Sequence, residues 1–312
     1  MVGGFIYLLM GGDLLVRGAV ALARHLRVPP IVVAATVVGF GTSLPELVVS
    51  LRASLTGYPN LILGNVVGSN IANVLLVGGA AAVVFPLVRE DDAVGRNAGI
   101  MVFSLVAFAA LCTLGEIGPV AGAILLGTFL VIMVATARST ILAQREVDTS
   151  TPLDWVLGLP TSLGMIAGFI LAGIVMLPLG AQLLVDSAVG IAERFGVSET
   201  FIGLTVLAIG TSLPELTTTV VAALERRTDV AIGTIIGSNT FNVLAIMGVT
   251  ALLSPTPIEV SNRFLMIDVP VMIVTGVVLA LFAWKGRPIG RGAGITMLLA
   301  YVVYLSTLYL FG

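Results

Sequence analysis

Cysteine and histidine are all but missing from this chain, which has one of each, Cys112 and His25. One thiol forms no internal disulfide, and one thiol with one imidazole builds no zinc-type site. A metal bound here is therefore a hard cation held by oxygen. Charge is scarce too. Charged residues make up 10% of the 312 positions, against about 25% in an ordinary soluble domain. Lys+Arg is 15 and Asp+Glu is 17, a net of -2, so there is no basic surface for nucleic acid. A soluble enzyme, a disordered chain and a nucleic-acid binder are excluded as bulk readings.

What the chain has instead is apolar length. Hydrophobic residues are 58% of it, and mean hydropathy is +1.12. A spanning helix needs about 20 mostly apolar residues. Cutting at charged and Pro/Gly-rich clusters predicts ten: 1–26, 29–57, 60–87, 97–115, 118–138, 158–193, 199–225, 229–253, 264–284 and 292–311. The expected fold class is an all-α polytopic protein of the cell membrane. Val2 to Met10 lacks a basic leader and a small-residue cleavage pattern, and is expected to open the first spanning helix. Numbering the connections in order, the odd ones, the central one included, hold Arg24, Arg27, Arg89, Arg96, Arg138, Arg145, Arg226, Arg227, Lys285, Arg287 and Arg291; the even ones hold Arg194 and Arg263. That bias places both termini outside and the central connection in the cytoplasm.

The strongest signal is an internal repeat. A shift of 169 residues lays Gly41-Thr42-Ser43-Leu44-Pro45-Glu46-Leu47 on Gly210-Thr211-Ser212-Leu213-Pro214-Glu215-Leu216 without a mismatch. The same shift lays Gly64-x-x-x-Gly68-Ser69-Asn70-x-x-Asn73-Val74-Leu75 on Gly233-x-x-x-Gly237-Ser238-Asn239-x-x-Asn242-Val243-Leu244, and 26 of 65 positions match from 11 to 75. Each half holds five helices, an odd number, so the halves enter the membrane from opposite sides. The expected domains are a first repeat over 1–138, a cytoplasmic linker over 139–157 and an inverted second repeat over 158–312. Inverted repeats are a plan of secondary transporters, with the site near the midplane.

Glu46 and Glu215 lie near the middle of apolar segments. A charge there costs about 2.5–3.5 kcal/mol on insertion scales. No Lys or Arg is found at comparable depth in the second, third, seventh or eighth segment, so the charge is met by a cation or proton from solution. Pro45 and Pro214 precede the glutamates and disturb the helix one turn back, exposing carbonyls around Gly39 to Thr42 and Ala208 to Thr211. A packing kink is the plain alternative. Thr42, Ser43 and Glu46 share helix faces at i, i+3 and i, i+4, as do Ser69 with Asn73 and Ser238 with Asn242. Interhelical hydrogen bonding explains any one of these singly. Repeated beside two carboxylates, they make an oxygen-only set that suits Ca²⁺ and also Na⁺. The glycine pairs Gly64/Gly68 and Gly233/Gly237 read as close packing, and Asn70 and Asn239 as structural. Asp13 and Arg17 are expected to pair. Cys112 reads as core, and Trp155, Trp284 and Tyr301 to Tyr309 as interfacial anchors.

These duplicated motifs resemble the two alpha-repeats of the cation/calcium antiporter superfamily, most closely its prokaryotic sodium/calcium exchanger group, over essentially the whole chain. The alpha motifs are 39–75 and 208–244. The resemblance implies ten helices in two inverted five-helix repeats and Na⁺-driven Ca²⁺ antiport by alternating access. It implies Ca²⁺ ligands at Glu46, Glu215, Thr42 and Thr211. For Na⁺ it implies Ser43, Ser69, Ser212 and Ser238, the same glutamates, Asn73 and Asn242, and carbonyls near Gly39 and Ala208. Asn at both 73 and 242 departs from relatives with an aspartate at one such place and weakens a K⁺-dependent reading. Ca²⁺ and Na⁺ are cargo; no cofactor, enzymatic activity or obligate protein partner is implied. The first and sixth helices, which pack obviously on neither motif, are the moving gate by family analogy. Competing readings are H⁺/Ca²⁺ exchange through the same glutamates, since protons compete for paired carboxylates in apolar surroundings, and a gated cation channel.

Overall fold

The computed structural model describes residues 2–89, 91–143, 159–194 and 208–311. It is nearly all helix. α1 is Val2–Leu26. A bent pair follows, α2 (Pro30–Thr42) and α3 (Leu44–Leu55), 43° apart. Then come α4 (Asn60–Val84), α5 (Asp92–Cys112), α6 (Pro119–Ala143) and α7 (Leu163–Arg194). The second half continues with α8 (Ala208–Thr211), α9 (Leu213–Leu224), α10 (Thr228–Leu253), α11 (Phe264–Lys285) and α12 (Arg291–Phe311). Among the described residues eight helices are long and apolar enough to cross a membrane, and the bent pair makes a ninth. Most of the expected linker and the start of the expected seventh segment, 199–207, lie outside the described residues.

Local chemistry sets the boundaries. The fourth segment, expected from 97, begins at Asp92. The Asp91 carboxylate accepts the Ala93 N–H at 2.6 Å and caps the helix, while Arg89 pairs with Asp92, so polar residues that look like a connection form a first turn. The second segment, expected as one helix, breaks at Ser43, whose backbone (φ -87°, ψ 7°) leaves the helical region one residue before Leu44-Pro45 restarts it. Proline costs nothing in a first turn.

Glycine sets the closest packing. α1 runs along α7 with Gly4 facing the Gly180 carbonyl and Gly173 facing the Gly11 carbonyl; a Cβ at Gly173 would sit 2.6 Å from Leu15 Cβ. The pair builds most of a second apolar core, Leu8, Leu15, Ile166 and Leu177 among it, which Val33 and Val38 of α2 complete. The first and sixth helices do meet the motif helices, against expectation. A Cβ at Gly41 would strike Ile174 of α7, one at Gly210 would strike Val185 of α7, and one at Gly12 would lie 3.0 Å from Thr217 of α9. Glycine at those positions lets the long helices cross the motifs at backbone distance.

The connections group at two ends. Leu87 bridges Ile289, Thr228 Oγ1 donates to the Val88 carbonyl at 2.8 Å, and Trp284 Nε1 donates to the Gly95 carbonyl at 2.8 Å. Elsewhere β1 (Glu116–Ile117) pairs with β2 (Ile258–Glu259). Trp284 is thus tied at a helix end, but Tyr301 is not an exposed anchor: it is buried, and Tyr304 donates to Asp268 at 2.8 Å.

Candidate cation site

Four motif stretches converge inside the main core. Glu46, in the first turn of α3, and Glu215, in the first turn of α9, are each 1% exposed. They lie close enough to act on each other electrostatically. Arg17 pairs with Asp13 and Glu225, and Arg89 with Asp92; among the described residues neither Glu46 nor Glu215 has a cationic partner. An isolated buried carboxylate is among the costliest groups a protein can carry.

The two halves interlock around them. Ser43 Oγ donates to Glu215 Oε1 at 3.0 Å. Thr42 Oγ1 and Ser238 Oγ lie 3.4 Å apart. Asn242 Nδ2 donates to Ser69 Oγ at 2.9 Å, and Asn73 Nδ2 donates to Asn239 Oδ1 at 3.1 Å. Each of these contacts crosses from one half to the other. Gly39 of α2 packs on the Gly237–Ser238 backbone, and any Cβ at Gly237 would overlap the Ala35 carbonyl.

These amide bonds aim the chemistry. Each Asn spends its N–H₂ on a neighbour, so its carbonyl oxygen is left as an acceptor. Glu46 Oε1 and Oε2, Glu215 Oε2, Asn73 Oδ1, Asn242 Oδ1 and Ser212 Oγ are all buried without a hydrogen-bond partner. Leaving a buried acceptor unmet costs about 1–3 kcal/mol, and more when it is charged. A cation with oxygen ligands satisfies several at once. No group of three or more His, Cys, Asp or Glu exists among the described residues, so the set offers two carboxylates supplemented by neutral oxygens.

The remaining expected site residues fall nearby or in the flanking backbone. The Gly39 carbonyl accepts the Ser43 N–H at 3.2 Å. Pro45 and Pro214 sit in the first turns of α3 and α9. Thr211 and Ala208 belong to α8, just before the matching break at Ser212 (φ -86°, ψ 3°).

Some features had no sequence signal. Asn65 Nδ2 donates to the Glu46 carbonyl and to Ser50 Oγ, both at 2.9 Å, and fixes α3 on α4. The backbone turns π-helical over Asn73–Gly78 and Asn242–Ile246. Both segments begin on the asparagine of the repeat. π segments gather at functional sites, and no apolar periodicity announces them. Asn239, read as structural, is the partner that orients Asn73.

The family model described as sodium/calcium exchanger protein matches residues 1–137 and 165–310. The chain belongs to the sodium/calcium exchanger family. It is a multi-pass membrane protein of a transporter family. It is 35% identical to Inner membrane protein YrbG of Escherichia coli, over 99% of this chain and 95% of that one. It is 31% identical to Sodium/calcium exchanger MaX1 of Methanosarcina acetivorans, over 98% and 96%. The solved structure of the sodium-calcium exchanger NCX_Mj superposes with a TM-score of 0.84 at 30% identity, over 98% of this chain and 97% of that one.

Proposed function

We propose that this chain exchanges Na⁺ for Ca²⁺ across the membrane by alternating access, with the ions bound between two inverted five-helix repeats. The observation that carries this reading is the pair of buried glutamates, Glu46 and Glu215, with unmet carboxylate oxygens and no cationic side chain beside them. Similarity to MaX1 and NCX_Mj, both named as sodium/calcium exchangers, supports the ion pair chosen.

In this reading Glu46 and Glu215 with Thr42 and Thr211 hold Ca²⁺. Ser43, Ser69, Ser212, Ser238, Asn73, Asn242, both glutamates and the carbonyls near Gly39 and Ala208 hold Na⁺. Two carboxylates carry -2, which one Ca²⁺ or two Na⁺ neutralises, so the cargoes compete for one site. The halves are 1–138 and 158–312, five helices to each. Odd connections face the cytoplasm and both termini face outside; the grouping of connections at two ends, odd with odd and even with even, supports that alternation. The α1–α7 pair, packed along its glycines, is the moving body.

The test is radioactive Ca²⁺ uptake into Na⁺-loaded proteoliposomes with external Na⁺ removed, beside Glu46→Gln, Glu215→Gln, K⁺-loaded and pH-gradient controls. Uptake that needs internal Na⁺ and is lost in both variants is the expected outcome. Uptake driven by a pH gradient without Na⁺ moves the reading to H⁺/Ca²⁺ exchange.

A further inference from the structure

On the outer face of the bundle α11 and α12 part to leave a groove of about 690 Å³ whose floor is α4. That is the size of a ligand pocket, roughly 300–1,000 Å³. The walls are apolar, with Ile267, Val274, Val278 and Val303 all exposed. The floor is Val74 and Leu75, the two residues after Asn73 in the π segment Asn73–Gly78. The groove extends from Arg263, one residue before α11 begins, to Val278. At 1.5 Å per residue that is about 22 Å along the helix, about one and a half times one leaflet of a hydrocarbon core about 30 Å thick.

One end of this apolar slot is charged. Arg263 lines it where α11 enters the membrane. It has no carboxylate within ion-pair distance among the described residues. Asp268 acts on it electrostatically but is bonded to Tyr304. Arg263 is one of only two basic residues in the even-numbered connections, the side that the charge bias otherwise keeps free of cations.

We propose that this groove is a binding site for an anionic phospholipid, one acyl chain lying between α11 and α12 and the phosphate on Arg263. The slot is long enough to take a chain, and the guanidinium matches a phosphate, which it holds with paired N–H donors. A chain seated there packs on Val74 and Leu75 and supports the π segment that opens at Asn73. Occupancy therefore favours the assembled cation site. Lipid binding stands by itself; its effect on transport rests on the exchange reading above.

The test uses purified protein equilibrated with vesicles of phosphatidylcholine and phosphatidylglycerol, retained lipid being counted by native mass spectrometry. Wild type is expected to enrich phosphatidylglycerol about fivefold, the effect of one basic residue on an anionic headgroup. Arg263→Gln loses the preference but keeps a chain, Ala300→Trp fills the groove and loses both, and Arg287→Gln behaves as wild type. Should Ala300→Trp fail to fold, a bimane label on Val274→Cys reports the chain through quenching by brominated-chain phosphatidylglycerol. Equal retention of the two lipids by wild type, an unchanged preference in Arg263→Gln, or closure of the groove by a second copy on cross-linking overturns the proposal. Uptake that tracks phosphatidylglycerol content in wild type but not in Arg263→Gln ties the lipid to transport. Lipid enrichment without any uptake would leave the lipid site standing and count against the exchange reading alone.

Discussion

Ser43 divides the labour between the two glutamates. It donates to Glu215, while neither carboxylate oxygen of Glu46 has a donor, so Glu46 is left with the larger unmet demand for a cation. Asn242, a neutral amide, leaves the proposed site at -2. Its N–H₂ donates to Ser69 Oγ at 2.9 Å. An aspartate there accepts from the same hydroxyl with the bond reversed, so Asn242→Asp is expected to fold normally while taking the site from -2 to -3. A third charge about 4 Å from Ca²⁺ is worth on the order of 8 kcal/mol at an effective dielectric of 20, about 4 for each unit of the ion's charge, most of which competing protons and Na⁺ cancel. The Ca²⁺ KM should fall about tenfold at pH 8, and the gain should shrink toward pH 5 as protons take the added carboxylate. A pH-independent loss of uptake would show that Asn242 orients the site and does not set its charge. Most of this candidate site was legible at residue scale because Glu46, Ser43, Ser69 and Asn242 each recur 169 positions away or come from there, and repetition singles these residues out from ordinary interhelical bonding. The role of Asn65 was not legible. Its repeat counterpart is Thr234, which bonds within its own helix, so no duplication drew attention to it.

Helix existence followed from apolar length, and that physics is insensitive to how a helix is interrupted. The bend at Ser43 was foreshadowed by Pro45, but the π segments at Asn73 and Asn242 conserve the apolar run and left no pattern to read. The fourth helix began early for a similar reason, since Asp91 is a cap and hydropathy alone scores it as a connection. The α1–α7 seam was hidden because its glycines look like any apolar filler until a second helix is placed against them. Gly173→Val places side-chain carbon where Leu15 Cβ lies 2.6 Å and the Gly11 carbonyl 2.8 Å from the new Cβ. Backbone cannot yield as a flexible side chain can, and overpacking of this kind costs about 1–3 kcal/mol. The expected outcome is a lower melting temperature in detergent and at least tenfold slower Ca²⁺ uptake. Gly168→Ala, on the same helix with nothing within 4 Å of its Cβ, should match wild type in both. Equal behaviour of the two variants would remove the seam from any account of transport.

At the scale of the whole molecule the cargo cycle depends on which states can be crossed and which are barred. One tie joins the pair proposed to move to the rest of the molecule. Arg17 of α1 pairs with Asp13 at 2.8 Å and reaches Glu225, just beyond α9, at 3.6 Å. Burial, and then Asp13, push the Glu225 carboxyl up, and Arg17 draws it back. A carboxyl whose proton is held more tightly in the fold stabilises it at low pH and loses that contribution as pH rises through its folded value. Arg17→Leu should therefore cost more stability at pH 8 than at pH 5. The difference should be within about 1 kcal/mol, because both side chains are near one-third exposed and screened; an equal loss at both pH values would mean the tie is steric. The larger barrier lies in the site itself. Without a cation, Glu46 and Glu215 present -2 to surroundings with no compensating side chain, a state costing several kcal/mol per ion. A reorientation that must pass through it is slower by about tenfold for each 1.4 kcal/mol. Ca²⁺-loaded proteoliposomes diluted into choline, free of Na⁺ and Ca²⁺, should then release Ca²⁺ no faster than about one-hundredth of the rate with external Na⁺. In the doubly neutral Glu46→Gln, Glu215→Gln carrier that bar is gone along with the ion site, so helix movements followed by a donor–acceptor pair on α1 and α9 should persist without any cation. Fast release into choline by wild type would mean that the empty carrier crosses freely and that coupling comes from somewhere other than the unmet charge of the two glutamates.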